Sequence, residues 1–347
     1  MSRRSEALRS MDKRFIAEDR FAIERRMHPF RRSPGVGRPV SADTLGDPLF
    51  QWFSTAVALG VVGLLVLITV ILTLAAQDSI RTLGLGFLTG NVWNPVPPLV
   101  FGAVPFVYGT LVTSALALLF GVPISLGIAI FLSELSPPWL RIPLTYVVEL
   151  LAAVPSVVYG LWGIFVLGPV MRVSIEPVVQ NIFGFLPIFQ GNPIGTDKFT
   201  AGVILAIMII PTISAVSREA LLAVPDNQRE AALSLGATRW ETTRMAVLRY
   251  ARAGIFGAII LGLGRAVGET MAVTMTIGNR NAISLSLFDQ GQTIASWIAN
   301  NFLNATDPLE LSALIELGLV LMLMSLIINI FARLMLGRVL RHGEGVA

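Results

Sequence analysis

Six long apolar runs, separated by shorter polar stretches, set the pattern of this chain. A helix rising 1.5 Å per residue needs about 20 apolar residues to cross roughly 30 Å of hydrocarbon. The runs that approach this length lie near Phe53–Ala75, Val107–Leu132, Pro143–Val170, Ala201–Val216, Gly254–Ile277 and Leu311–Phe331. They predict an all-α polytopic membrane protein with six transmembrane helices. The fourth run is short and is expected to extend at either end. The fifth is interrupted by Arg265 and Glu269. The first is too long, and too far along the chain, to be the apolar core of a cleaved signal peptide, so it is read as a span. Pro155 lies inside the third run, where a missing N–H predicts a kink. That kink either opens a path near Ser156 and Tyr159 or serves packing alone.

Composition supports the same solvent. Of 347 residues, 54% are hydrophobic and 14% charged, against about 25% charge in soluble domains. The placement of the 26 Lys/Arg then orients the chain. If the spans alternate, Arg81, Arg172, Lys198 and Arg280 fall in outer loops and Arg265 falls within a span. All the others lie on the side of the N-terminus. Cytoplasmic loops carry the excess of basic residues, so both termini are expected on the cytoplasmic side of the membrane. Residues 1–50 form a basic extension, 51–338 the membrane domain and 339–347 a cytoplasmic tail. Within the extension, Leu8, Met11 and Phe15 space an amphipathic helix over Glu6–Arg26, and Ser33–Pro39 reads as a linker. Two outer loops are long, residues 171–199 and 279–310. In the second, Ile294, Trp297, Ile298 and Phe302 recur at helical spacing and predict a short interfacial helix.

Several chemistries are excluded. Cysteine is absent, and the two histidines, His28 and His342, sit near opposite ends. This leaves no disulfide framework and no metal cluster. The two lysines, Lys13 and Lys198, each follow an aspartate, so neither completes G-x-x-x-x-G-K-[ST]. ATP chemistry, if the chain takes part in any, belongs to a partner. No cofactor is expected on this chain.

The connection over residues 218–252 is the most informative polar stretch. Pro225-Asp226 is a helix start, with Asp226 or Asn227 as the cap. Glu230-Ala231-Ala232 follows, and Gly236 permits a left-handed stop. A second helix is predicted from about Arg239 to Ala251. The small side chains of Ala231 and Ala232 allow another subunit close to the backbone. The pattern Glu230-Ala231-Ala232-x3-Gly236 resembles the EAA signature of the membrane subunits of ABC importers. The resemblance implies that this helix docks in a cleft of an ATPase subunit. Where the family usually places a proline after the second helix, this chain has Arg249.

The fifth run holds a charged pair, Arg265 and Glu269, in Gly262-Leu-Gly-Arg-Ala-Val-Gly-Glu-Thr-Met-Ala-Val. A charge near the bilayer centre costs roughly 3 kcal/mol on insertion scales, so such residues face a partner or a watery path. On one continuous helix the i,i+4 spacing puts both on one face, where Glu269 competes for Arg265. Gly264 and Gly268 form G-x-x-x-G, a close-approach face. Arginine's planar fork suits a tetrahedral oxyanion, and Thr270 and Thr274 add hydroxyls. Glu149 in the third run and Glu316 in the sixth are two further acids in apolar surroundings. Substrate path and interhelical packing network both remain open for these groups.

The wording of several segments narrows the family. The fifth run, Glu149-LLAAVPSVVYGLWG, Tyr108-GTLVTSALALLFGVPISLGIAIFLSEL, Ala206-IMIIP and Ile315-ELGL resemble, in order, the PstC-type permease subunit of bacterial high-affinity phosphate importers. The likeness covers roughly residues 52–338. It implies transport of inorganic phosphate past Arg265. It also implies a second related permease chain, two ATPase subunits that use ATP and Mg²⁺, and an extracytoplasmic phosphate-binding protein. A permease for sulfate, molybdate or phosphonate shares the architecture. An ion-coupled secondary transporter would leave the coupling helix without a purpose.

Overall fold

The computed structural model describes residues 46–344. The expected helix Glu6–Arg26, the linker Ser33–Pro39 and the last three residues lie outside that range. The described chain is helical almost throughout, with isolated β-bridges at Asn94–Val100 and Gly278–Gly291 among the described residues.

The chain divides into two units, one ending at Val66 and one running from Leu67 onward. The first helix, α1 (Gly46–Ala75), begins in the former and ends in the latter. In the first unit its residues Phe50–Val66, apolar apart from Gln51, Ser54 and Thr55, are exposed on every face. A helix hydrophobic all round is stable in lipid or against another protein, not in water.

The second unit continues with two short helices, α2 (Gln77–Leu83) and α3 (Gly86–Thr89). Next comes α4 (Val104–Leu135), which tolerates Pro123 and ends in a wide π-turn over Phe131–Leu135. α5 (Pro138–Ala153) and α6 (Ser156–Phe183) follow, then α7 (Lys198–Leu222). α8 (Asp226–Ser234) and α9 (Arg239–Gly268) come next, then the short α10 (Met271–Thr276) and α11 (Ile294–Asn301). The last is α12 (Pro308–Glu344). With α1, five of these (α4, α6, α7, α9 and α12) are long and apolar enough to cross a membrane, making six among the described residues.

The core forms around α7. It is the most buried of the six, and it packs chiefly against α4 and α9. Ala201, Leu205, Ile209 and Ile213 of α7 meet Ala117 of α4 and Ala258 and Ala266 of α9. Asp197 caps α7 by accepting the Thr200 N–H at 2.8 Å. At one end of α12, Trp93, Phe101 and Phe106 pack with Trp297, with Phe106 and Trp297 stacked at 4.8 Å.

Three boundaries differ from those the hydrophobic pattern predicts. Pro155 breaks the third run rather than kinking it. Val154 and Pro155 are extended (ψ 127 and 141), so α5 ends and α6 starts afresh. Proline removes one N–H and forces the preceding residue out of the helical region. The membrane-length helix is therefore Ser156–Phe183, displaced toward the C-terminus, and the loop expected at 171–199 shortens accordingly. The second helix of the 218–252 connection does not end at Ala251. Arg249 leaves the chain free to continue, and α9 runs on as the fifth span through a π-turn at Thr243–Val247. The fifth run is not one helix: it stops at Gly268, and Glu269 is extended (ψ 129).

The expected helix near Ile294 is present as α11, but Ile294, Ala295 and Ser296 are buried rather than interfacial. It is set by a strap over residues 278–293 that lies on α4. The Ile294 N–H donates to Thr110 Oγ1 at 3.0 Å, and Tyr108 Oη donates to the Ser284 carbonyl at 2.9 Å. A Cβ on Gly109 would collide with the Gln292 carbonyl oxygen. Backbone against backbone cannot yield as a flexible side chain would. Gly109→Ala is therefore expected to lower stability by about 1–3 kcal/mol or more, the range for overpacking. Thermal unfolding of the detergent-solubilised chain reads this directly, and an unchanged midpoint would contradict the contact.

Candidate functional site

Arg265 lies near the end of α9, on an open cleft of about 630 Å³. Thr212 of α7, Gly257, Ile260, Leu261 and Gly264 of α9, and Asn329 and Arg333 of α12 complete the lining. No acidic residue is among them. The Arg265 Nη1 donates to Thr212 Oγ1 at 3.1 Å. No ion pair joins Arg265 to a carboxylate among the described residues. A membrane-embedded guanidinium with one neutral partner keeps most of its five donors for something else. A Cβ added at Gly264 or Gly268 would meet open space, so the G-x-x-x-G edge meets no helix among the described residues.

The shared face expected for Arg265 and Glu269 is not formed. Because α9 ends at Gly268, Glu269 leaves the helix, and its Oε1 accepts the Ala272 N–H at 3.4 Å at the start of α10. Without the i,i+4 geometry, Glu269 does not share a helix face with Arg265 on which to compete for it. Thr270 sits in the same break and donates to the Gly268 carbonyl at 3.4 Å. Thr274 donates back to the Thr270 carbonyl at 2.7 Å. Both Glu269 and Thr270 are half-buried.

The other expected acids lie elsewhere. Glu149 is exposed on α5, a helix with no buried residue, beside a separate cleft with Thr145, Ser214 and Arg218. Glu316 is buried and accepts a hydrogen bond from Ser79 Oγ, while the Ser79 N–H donates to Ser312 Oγ at 3.0 Å. That network fastens α2 to α12. Ser156 is half-buried at the first turn of α6. Tyr159 is buried, and its hydroxyl donates to the Leu151 carbonyl at 2.9 Å, bridging the Pro155 break.

The connection between α7 and α9 is a compact corner. α8 starts at Asp226 after Pro225, with no side-chain cap from Asp226 or Asn227. Gly236 adopts φ +86°, and the Ala237 N–H returns to the Ala232 carbonyl at 3.3 Å. Thr238 and Glu241 form a reciprocal capping box that starts α9. Glu230, Ala231 and Gly236 are exposed and Ala232 half-buried. Leu235 is 89% exposed. Ala231, Ala232 and Leu235 line a shallow cleft with Met245, Ala246 and Tyr250.

Reading the residues alone missed three groups. Thr212 carried no signal, being one hydroxyl in an apolar run. Glu134 and Arg229 pair across a separation of 95 residues. Glu176, Asp197 and Lys198 are all buried, Lys198 against the strap. There Lys198 Nζ donates to the Ser284 carbonyl at 2.7 Å, and burial pushes the Asp197 carboxyl above the usual carboxylate range. Adjacent acid and base at Asp197-Lys198 was the one available hint.

The described chain is thus a helical membrane domain with six helices long and apolar enough to span and a helical corner between α7 and α9. Residues 121–341 match the family described as binding-protein-dependent transport system inner membrane component, and the chain belongs to that family. It is 44% identical over 299 residues to the phosphate transport system permease protein PstC of Mesorhizobium japonicum, covering 85% of this chain and 91% of that one. It is 46% identical over 295 residues to the protein of the same name in Pasteurella multocida, covering 84% and 92%. Among solved structures, a chain of a bacterial alginate ABC transporter in complex with an alginate-bound periplasmic protein aligns with a TM-score of 0.57 at 16% identity, covering 86% of this chain and 98% of that one. A chain of an inward-facing methionine ABC transporter aligns at 0.51 and 18% identity, covering 68% and 95%. At such identities these two likenesses concern the fold.

Proposed function

We propose that this chain is the permease subunit of an ATP-driven importer that moves inorganic phosphate from an extracytoplasmic binding protein into the cytoplasm. It pairs with a second related permease chain and two ATPase subunits, which use the ATP and Mg²⁺. Both termini and the α8 corner lie on the cytoplasmic side, where Glu230, Ala231, Ala232 and Gly236 meet the ATPase. The named relatives support the substrate. The observation that carries the path is Arg265: a guanidinium on an open, acid-free cleft, short of partners among the described residues. An oxyanion passing there gains charge-assisted hydrogen bonds that a neutral solute does not. Thr270 and Glu269, at the break between α9 and α10, border the same path. Tyr159 and Ser156 shape the α5–α6 break. Glu316 holds α2 in place, and exposed Glu149 is left for contact with the second permease chain.

The test is phosphate uptake in cells lacking this chain, with and without its return, in excess sulfate. Restored uptake that resists sulfate is the expected result. Failure to restore it, with all partners expressed, would move the substrate to another oxyanion. Uptake independent of the ATPase subunits would favour an ion-coupled transporter.

A further inference from the structure

One side chain of α8, that of Arg229, reaches acceptors on four residues. Arg229 Nη2 donates to Glu134 Oε1 at 2.9 Å, and Nε donates to Oε2 at 3.4 Å. Nη2 also donates to the Leu221 carbonyl at 2.9 Å, and Nη1 to the Val224 carbonyl at 2.6 Å. Asp226 Oδ1 takes a further bond from Nη1 at 3.1 Å. The Arg229 and Glu134 side chains are only 18% and 12% exposed. Hydrogen bonding to Glu134 raises the Arg229 pKa further above its ordinary value.

Asp226 belongs to α8 itself, and the other acceptors lie on two further elements. Glu134 lies in the closing π-turn of α4. Leu221 is in the last turn of α7, and Val224 is just beyond it. These anchor points are themselves fixed, because Leu221 and Val224 pack with Ala129 of α4 and with Val247, Ala251 and Ile255 of α9. The guanidinium fork adds donors to two backbone carbonyls at the end of α7 while pairing its charge with Glu134.

The connectivity gives this contact a consequence. α8 is joined to α7 and α9 by the chain itself, through two short turns. Movement of α8 reaches those helices whatever its side chains do. α4 is 95 residues away in sequence, with its end tied to α8 by the Arg229–Glu134 pair. We propose that Arg229 and Glu134 are positioning residues that make α8 move as one body with the end of α4, delivering motion imposed on α8 by the ATPase to the second span. This rests on the reading of α8 as the ATPase-contacting helix.

The chain has no cysteine, so two introduced thiols are its only labelling sites. Ser234→Cys on α8 and Leu119→Cys on α4, both exposed, carry spin labels in the complete importer reconstituted in lipid. In the otherwise unchanged chain, their separation is expected to be the same without nucleotide and with ATP trapped. In Glu134→Gln it is expected to differ between the two states. The phosphate carried per ATP hydrolysed should fall about tenfold, while ATPase subunits copurify in normal amounts. If Glu134→Gln fails to assemble, Arg229→Lys, which keeps the charge but loses the fork, is read by the same two measurements. A separation that changes with nucleotide in the unchanged chain would overturn the proposal. So would a variant that keeps either the fixed separation or the full transport ratio. An unchanged importer with no ATP-driven phosphate entry counts against the functional reading instead, and the separations still decide the latch.

Discussion

Arg265→Gln is expected to cut phosphate uptake by about 10- to 100-fold while the chain still reaches the membrane in normal amount. A hydrogen bond to a charged group contributes about 1.5–3 kcal/mol, and each 1.4 kcal/mol is about tenfold. Glutamine keeps an amide donor for Thr212 but loses the charge and the fork. It also removes the cost of a cation in the membrane, so insertion and folding should not suffer. Arg265→Lys should fall between the two, since lysine retains charge without bidentate geometry. A purely structural Arg265 predicts a different pattern: lowered thermal stability in both variants, with uptake tracking the amount of folded protein. Thr212 is the one side-chain hydrogen-bond partner of Arg265 among the described residues, so a packing role has little to act through there.

Gly236→Val is expected to abolish uptake with the chain still inserted. At φ +86° the glycine closes α8, and open space surrounds its Cα. The obstacle is therefore the backbone and not a neighbour. A left-handed conformation costs an L-residue roughly 1–2 kcal/mol, and a β-branched side chain is a genuine outlier there. Valine should push the corner out of this conformation and rotate α8 against the capping box at Thr238. The spans have their own core and should persist. The ATPase subunits should then copurify poorly, and transport should fall more than tenfold. Gly236→Asn, a residue that accepts this conformation, should retain most activity. Normal uptake with Gly236→Val would sink the coupling assignment.

These two sites differ in how plainly the residues announce them. The α8 corner is legible because proline, small residues and glycine act locally, within a dozen positions. The six spans are legible where apolar runs are uninterrupted. The third misleads because the true membrane-length helix carries Arg172 and Glu176, which read as loop. Glu176 is in fact buried and takes a hydrogen bond from Thr200 Oγ1 at 3.3 Å. The fifth misleads at both ends. Four arginines from Arg239 to Arg252 disguise the start of α9, and Gly268 ends it just where an unbroken helix would align Arg265 with Glu269. Arg265 itself is conspicuous as a charge in an apolar run. Thr212 and the Arg229–Glu134 pair are not, because nothing local marks a contact between distant elements.

The most direct measurement loads proteoliposomes containing the complete importer with ATP, and supplies labelled phosphate with the binding protein outside. The account predicts phosphate accumulation only when ATP is inside. With Arg265→Gln it predicts continued ATP hydrolysis with little phosphate entering. Phosphate entry at the unchanged rate through Arg265→Gln, or accumulation without ATP, would contradict it.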